Sequence, residues 1–208
     1  MKISYGITVH NEQKELEKLL GKLLIGIDEQ DEVIICVDGN HEGVREVIEL
    51  YSIDSRVIHY NRKLDGNFAD HKNSVIEKSS GDYIFHIDAD EYPHEVLLQQ
   101  IKKILQINDV DLIWLPRVNT IDGMTEEHIK KWGWRVSENR WVNYPDYQAR
   151  VFRNDSQIRW TRPLHEHIVG CKTYSHLPPH EELSLYHPKT IQKQEQQNLF
   201  YNQNFSRE

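Results

Sequence analysis

Along residues 1–92, short runs of strand-forming residues end in polar residues and give way to helical patterns, again and again. This alternation constrains the fold more than any other feature of the chain. Met1 to Thr8 reads as a strand, and the polar residues His10, Asn11 and Glu12 lead from it into a helix marked by Leu16, Leu19, Leu20, Leu23 and Leu24. Val33 to Val37 is followed by Asp38-Gly39-Asn40 and a helix through Val44, Val47, Ile48 and Tyr51. Arg56 to Tyr60 leads through Asn61 to Asn67 into a helix containing Asp70 to Lys78, and the Gly81-Asp82 turn opens a strand from Tyr83 to Asp88. Such alternation predicts an α/β fold, its mostly parallel central sheet joined by right-handed crossovers and flanked by helices. Ligands of open α/β sheets sit beyond the carboxyl ends of the strands. Thr8 to Glu12, Asp38 and Asp88 to Asp90 are therefore expected to share one crevice.

The strand from Tyr83 ends in three carboxylates, Asp88, Asp90 and Glu91. Side chains alternate along a strand, which predicts that Asp88 and Asp90 point the same way. Like charges that close need a positive partner, and Mg²⁺ or Mn²⁺ carrying phosphates supplies one. The other reading is a polar loop whose acids favour the next helix N-terminus.

Taken in order, Thr8-Val9-His10-Asn11-Glu12, Asp38, Asp70-His71-Lys72-Asn73 and Gly81 through Asp90 resemble family 2 glycosyltransferases of the GT-A fold. The second half is similar to short bacterial and phage-encoded members at Tyr144 to Phe152, Leu164-His165-Glu166 and Tyr186-His187-Pro188-Lys189. Many relatives carry Pro-Thr-Tyr-Asn-Glu after the first strand; this chain has Ile7-Thr8-Val9-His10-Asn11-Glu12 instead. The resemblance implies a single Rossmann-like GT-A domain over residues 1–208, with a nucleotide-binding half (1–92) and an acceptor-side half ending in a helix (93–208). It implies an inverting, metal-dependent transfer from a UDP-sugar, UDP-glucose or UDP-galactose by family habit, to a carbohydrate or glycoconjugate acceptor. Asp90 then ligates Mn²⁺ or Mg²⁺, with His187 as a further ligand from near the C-terminus or else an ordinary surface histidine. Asp88 meets the donor ribose or supports the metal through water, and Asp38 accepts the N–H of uracil. Thr8, His10 and Glu12 line the base and ribose pocket, Lys72 meets the base or diphosphate, and Arg150 and Arg153 stabilise the diphosphate. Glu166 is the favoured general base. It competes with Asp146 for that role, and pairing with Arg162 would instead make it structural.

A net charge of -8 argues against generic nucleic-acid binding. Lys130 to Arg162 is nevertheless rich in basic residues and holds Trp132, Trp134, Trp141 and Trp160. That mixture suits sugar rings and phosphates, or else is a solvated basic face over buried Trp. Cys36 lies mid-strand and Cys171 in a turn, so no disulfide framework is expected. With no basic-then-apolar leader and no apolar run near 20 residues, the expectation is a cytoplasmic protein without a transmembrane segment. His165-Glu166-His167 lacks the spacing of a zinc-protease helix, and Pro178-Pro179 interrupts His176 and His180. Ile191, Leu199 and Phe200 suit a final helix. Two rivals stand beside the transferase reading: a sugar nucleotidyltransferase, which resembles its kin through a Gly-rich phosphate loop that is missing after the first strand here, and a non-catalytic nucleotide-sugar-binding module.

Overall fold

The computed structural model describes residues 1–204, with side chains through Leu199; the Phe200 side chain lies outside the described residues. Elements follow in the order β1 (Ile3–Val9), α1 (Gln13–Gly26), β2 (Glu32–Val37), α2 (Glu42–Tyr51), β3 (Val57–Asn61), α3 (Phe68–Lys78) and β4 (Tyr83–Asp88). Then come β5 (Tyr92–Pro93), α4 (Glu95–Asn108), β6 (Leu112–Leu115), β7 (Arg117–Asp122), α5 (Glu126–Trp132), β8 (Gln148–Arg153) and β9 (Arg159–Thr161). The chain ends with β10 (His167–Val169), β11 (Tyr174–His176), β12 (Leu185–Thr190) and α6 (Ile191–Asn204).

Seven strands form the central sheet in the order β11-β6-β8-β4-β1-β2-β3. β3, β2, β1 and β4 run parallel, and β8 runs antiparallel between β4 and β6. Every residue of β2 is buried, as expected of a strand covered on both faces. α1 covers one face with Leu16, Leu19, Leu20 and Leu23, the apolar positions of its helical period. The chain steps from β1 outward to β2 and β3, then returns to place β4 on the other side of β1. That reversal opens a crevice at the carboxyl ends of β1 and β4, where Thr8 lies opposite Asp88.

Two features aim the second half at this crevice. β12 pairs in parallel with β7, setting His187 beside Asn119. The β9–β10 hairpin is clamped to α3 because the Asn73 amide donates to the Trp160 carbonyl and accepts its N–H, both at 2.9 Å. α3 itself lies close on β1, where Gly6 leaves room for Val75; a Cβ at Gly6 would stand 2.5 Å from Val75 Cγ1. Asn67 caps α3, accepting the Asp70 N–H at 3.1 Å. No helix of the described residues is long and apolar enough to cross a membrane.

Candidate active site

A cleft of about 540 Å³ opens at the carboxyl ends of the parallel strands. Thr8, His10, Glu12, Asp38, Lys72, Asp88, Asp90, Arg150, Glu166 and His187 all line it, so nearly every residue singled out in the sequence meets there. Arg153 does not. It lies at the far end of β8 opposite Tyr83, bonds Asp109 at 2.8 Å and packs on the Tyr83 ring, so the expected diphosphate contact is corrected to a surface ion pair. Along β8, Arg150 and Arg153 lie three residues apart, and strand alternation sends them to different surroundings.

Asp88 and Asp90 do not share a face. β4 stops at Asp88 and a turn follows, closed by the Glu91 N–H on the Asp88 carbonyl at 2.8 Å, so alternation ends where the acids begin. Asp88 turns toward Arg150, Lys72 (3.3 Å) and His86 (3.4 Å). Burial pushes its carboxyl up, but Arg150 and Lys72 outweigh that and hold it well below the usual carboxylate range. Glu91, to which sequence gave no role, is fully buried between Arg150 (2.8 Å) and Arg117 (2.7 Å). Arg150 is thus committed to neutralising the turn. Arg117 also grips Asp146, which accepts from its Nε at 3.0 Å and its Nη2 at 2.6 Å, from Asn119 at 2.9 Å and from Gln148 at 3.0 Å. So engaged, Asp146 does not line the cleft.

Asp90 faces the other way, with Oδ2 3.5 Å from His187 Nε2 and 3.4 Å from Lys193 Nζ. Asn119 Nδ2 points at the Asp146 carboxylate, so its Oδ1 must be the atom that accepts from His187 Nδ1 at 2.8 Å. Nε2 then faces the Asp90 carboxylate: protonated, it donates to that carboxylate, and neutral, it offers its lone pair to a cation bound between the two. This donor set fits a hard divalent ion. Among the described residues no three His, Cys, Asp or Glu side chains converge on one point, so two protein ligands would leave the remaining positions to phosphate oxygens and water, as Mg²⁺ usually binds. Burial pushes Asp90 up, but His187, Lys193 and Lys189 hold it far below the carboxylate range, keeping it ionised.

Glu166 sits in the loop between β9 and β10, and its partner is Lys72 at 2.6 Å rather than Arg162. Burial raises its carboxyl, yet the Lys72 ammonium outweighs that and keeps it below the ordinary glutamate range. Lys72 is 5% exposed and lies 4.6 Å from the centre of the Trp160 ring. At the opposite end, Asp38 accepts the Leu64 N–H at 3.0 Å and lies 3.1 Å from His10 Nδ1. Glu12 turns back on its own loop, accepting from the N–H groups of His10 (2.9 Å) and Asn11 (3.1 Å). That internal bonding gives the loop its shape. Of the tryptophans, Trp160 lines the cleft with Trp114, which the sequence reading passed over. Trp132 and Trp134 pack on one another 4.7 Å apart, and Trp141 packs on Tyr144, away from the cleft.

The family model for glycosyl transferase family 2 matches residues 4–194. SunS, a prophage-derived glycosyltransferase of Bacillus subtilis (strain 168), is 22% identical over 191 residues, covering 89% of this chain and 39% of that protein. An uncharacterized glycosyltransferase of Rickettsia bellii (strain RML369-C) is 33% identical over 102 residues, 49% of this chain and 15% of its own length. The chain spans under half the length of either relative. Among solved structures, S. aureus TarS 1–349 superimposes with a TM-score of 0.63 at 15% identity, covering 90% of this chain and 60% of that one. The same fragment in complex with UDP-GlcNAc also gives 0.63 at 15% identity, with 91% and 59% covered.

Proposed function

Because the chain belongs to glycosyl transferase family 2, we propose that it transfers a sugar from a uridine diphosphate donor to a hydroxyl of a carbohydrate or glycoconjugate, with inversion. One observation carries this reading: Asp38, Asp88, Asp90 and Glu166, drawn from three separate segments, line a single cleft. The UDP-GlcNAc complex of TarS supports a uridine donor; UDP-glucose and UDP-galactose remain the donors that family habit favours.

In this reading residues 1–92 bind the nucleotide and the later elements present the acceptor. Asp38 accepts the uracil N3–H, Thr8 and His10 flank base and ribose, and Asp88, fixed by Arg150, meets the ribose. Asp90 and His187 hold Mn²⁺ or Mg²⁺, which when bound offsets the charge that builds on the leaving diphosphate. Glu166, ionised and facing the cleft, takes the acceptor proton as the acceptor oxygen bonds to the anomeric carbon and the bond to the diphosphate oxygen breaks. The four hydrogen bonds that Asp146 accepts support Glu166 over it for that role.

Release of UDP from UDP-glucose, UDP-galactose and UDP-GlcNAc, measured with and without Mn²⁺, tests the proposal. Metal-dependent release, as transfer or slow donor hydrolysis, is expected. Tight binding with no turnover against any acceptor would make the protein a binding module instead.

A further inference from the structure

Lys72 is the most deeply buried lysine of the described chain, yet it sits at the wall of an open cleft. A buried ammonium needs its charge met. Two carboxylates meet it here, Glu166 at 2.6 Å and Asp88 at 3.3 Å, while Trp160 closes a third side. All three charged groups reach the cleft, so their pairing is open to whatever binds there. The arrangement has a chemical drawback. A carboxylate tied this closely to an ammonium is a weak base, because an arriving proton must break the charge-assisted hydrogen bond. Phosphate oxygens entering the cleft are competing acceptors for the same ammonium.

We propose that Lys72 is a positioning residue that changes partners during the reaction: without donor it holds Glu166 in place, and when a nucleoside diphosphate enters it turns to the phosphate oxygens and frees Glu166 to act on the acceptor. The inference rests on the reading of the cleft as a nucleotide-sugar site with Glu166 as base. Lys72 neither gains nor loses a proton; the acceptor proton goes to Glu166, and the electron pair of the cleaved bond leaves with the diphosphate. Donor binding thereby strengthens the base only when a donor is present, which suppresses idle protonation of the free site. The other charged groups around Glu166 are accounted for. Asp88 lies across Lys72, Arg150 is held by Asp88 and Glu91, His167 bonds Thr161 at 3.3 Å, and His165 lines the cleft beside it. Glu166 is already held below the ordinary glutamate range by Lys72, which is the direction the pairing requires.

The experiment is an NMR titration of the full chain carrying ¹³C-carboxyl glutamate and ¹⁵N-lysine, with and without UDP and Mg²⁺, Glu166 being assigned through Glu166→Gln. Without UDP, Lys72 Nζ should correlate with the Glu166 carboxyl carbon; with UDP that correlation should vanish and the Glu166 midpoint should rise by about one pH unit or more. Lys72→Met should show the raised midpoint without UDP, and UDP should move it by less than half the wild-type change, since only direct repulsion by phosphate is left. Lys72→Arg should keep the low midpoint. A Lys72–Glu166 correlation that survives in the UDP-bound wild type overturns the exchange whether or not the methionine variant folds, and so does an equal UDP effect in wild type and Lys72→Met. Failure of UDP to bind at all, read by calorimetry, refutes the donor reading beneath it instead.

Discussion

At Asp90 and His187, a carboxylate and an imidazole nitrogen face each other across 3.5 Å, and removing either should cost metal dependence before it costs the fold. Asp90→Ala is expected to abolish Mn²⁺-dependent UDP release while the far-UV spectrum stays unchanged; a fully active variant would remove Asp90 from the site. Glu166 and Asp146 separate by a different pair of measurements. Glu166→Gln keeps shape and donor affinity but should lose about 10²-fold or more in transfer rate. Asp146→Asn leaves Arg117 with a weaker partner and should instead lower the denaturation midpoint, by about 1–3 kcal/mol in stability. At Asp38 the contrast is between nucleotides: UDP should displace bound donor better than CDP, because cytosine lacks the N3–H that the carboxylate would accept. Residues at strand tips were legible in the sequence because the end of an apolar run marks its own position. The pairing of Glu91 and Asp146 with Arg117, and of Lys72 with Glu166, was not, since each depends on an oppositely charged group that arrives from a remote segment, and no local pattern announces the partner.

Elements carry these side chains to one another, and the packing of α3 on β1 is the tightest link. Gly6 gives Val75 its place, so Gly6→Ala would set a Cβ 2.5 Å from Val75 Cγ1 on a strand that cannot shift within its sheet. Overpacking of this kind costs about 1–3 kcal/mol. Because α3 also bears Lys72 and, through Asn73, holds Trp160, the same change should lower turnover from a site more than one element away. Adding Val75→Ala removes the clashing methyl and should restore part of the loss; a double variant no better than the sum of the two singles would show that the strain lies elsewhere. The strand and helix alternation of the first half was readable because both periods are local signals, and the observed bounds of β1 to β4 fall within a residue or two of those expected. The pairing of β7 with β12, which sets Asn119 beside His187, joins segments far apart in the chain and leaves no periodic trace in either. The tryptophans of the basic stretch were ambiguous for the same reason: composition placed them together, whereas the fold sends Trp160 to the cleft and Trp132 and Trp134 to each other.

For the molecule as a whole, the site makes stability depend on pH. His86 is buried beneath the cleft, and that burial, aided by the Lys72 charge, holds its imidazole down to about 4. A histidine in the unfolded chain titrates near 6.5. Between those values the unfolded chain binds a proton that the folded one refuses, so stability falls as pH drops through this window, by on the order of 3 kcal/mol. His71, whose imidazole burial also pushes down, acts in the same direction. Below pH about 4 the unfolded carboxylates begin to protonate. Asp88, Glu91, Asp146 and Glu166 all have folded values lower than the ordinary range, and the stabilisation they supply at neutral pH is lost as pH falls through those values. The urea midpoint should therefore decline from pH 6.5 to 4 and collapse below. His86→Gln supplies a side chain that does not titrate, so it should lose most of the upper slope, retain the share due to His71, and leave the acid collapse in place. If the variant keeps the full slope between pH 6.5 and 4, the buried His86 imidazole is not its source, and the dependence must come from His71 and the other histidines.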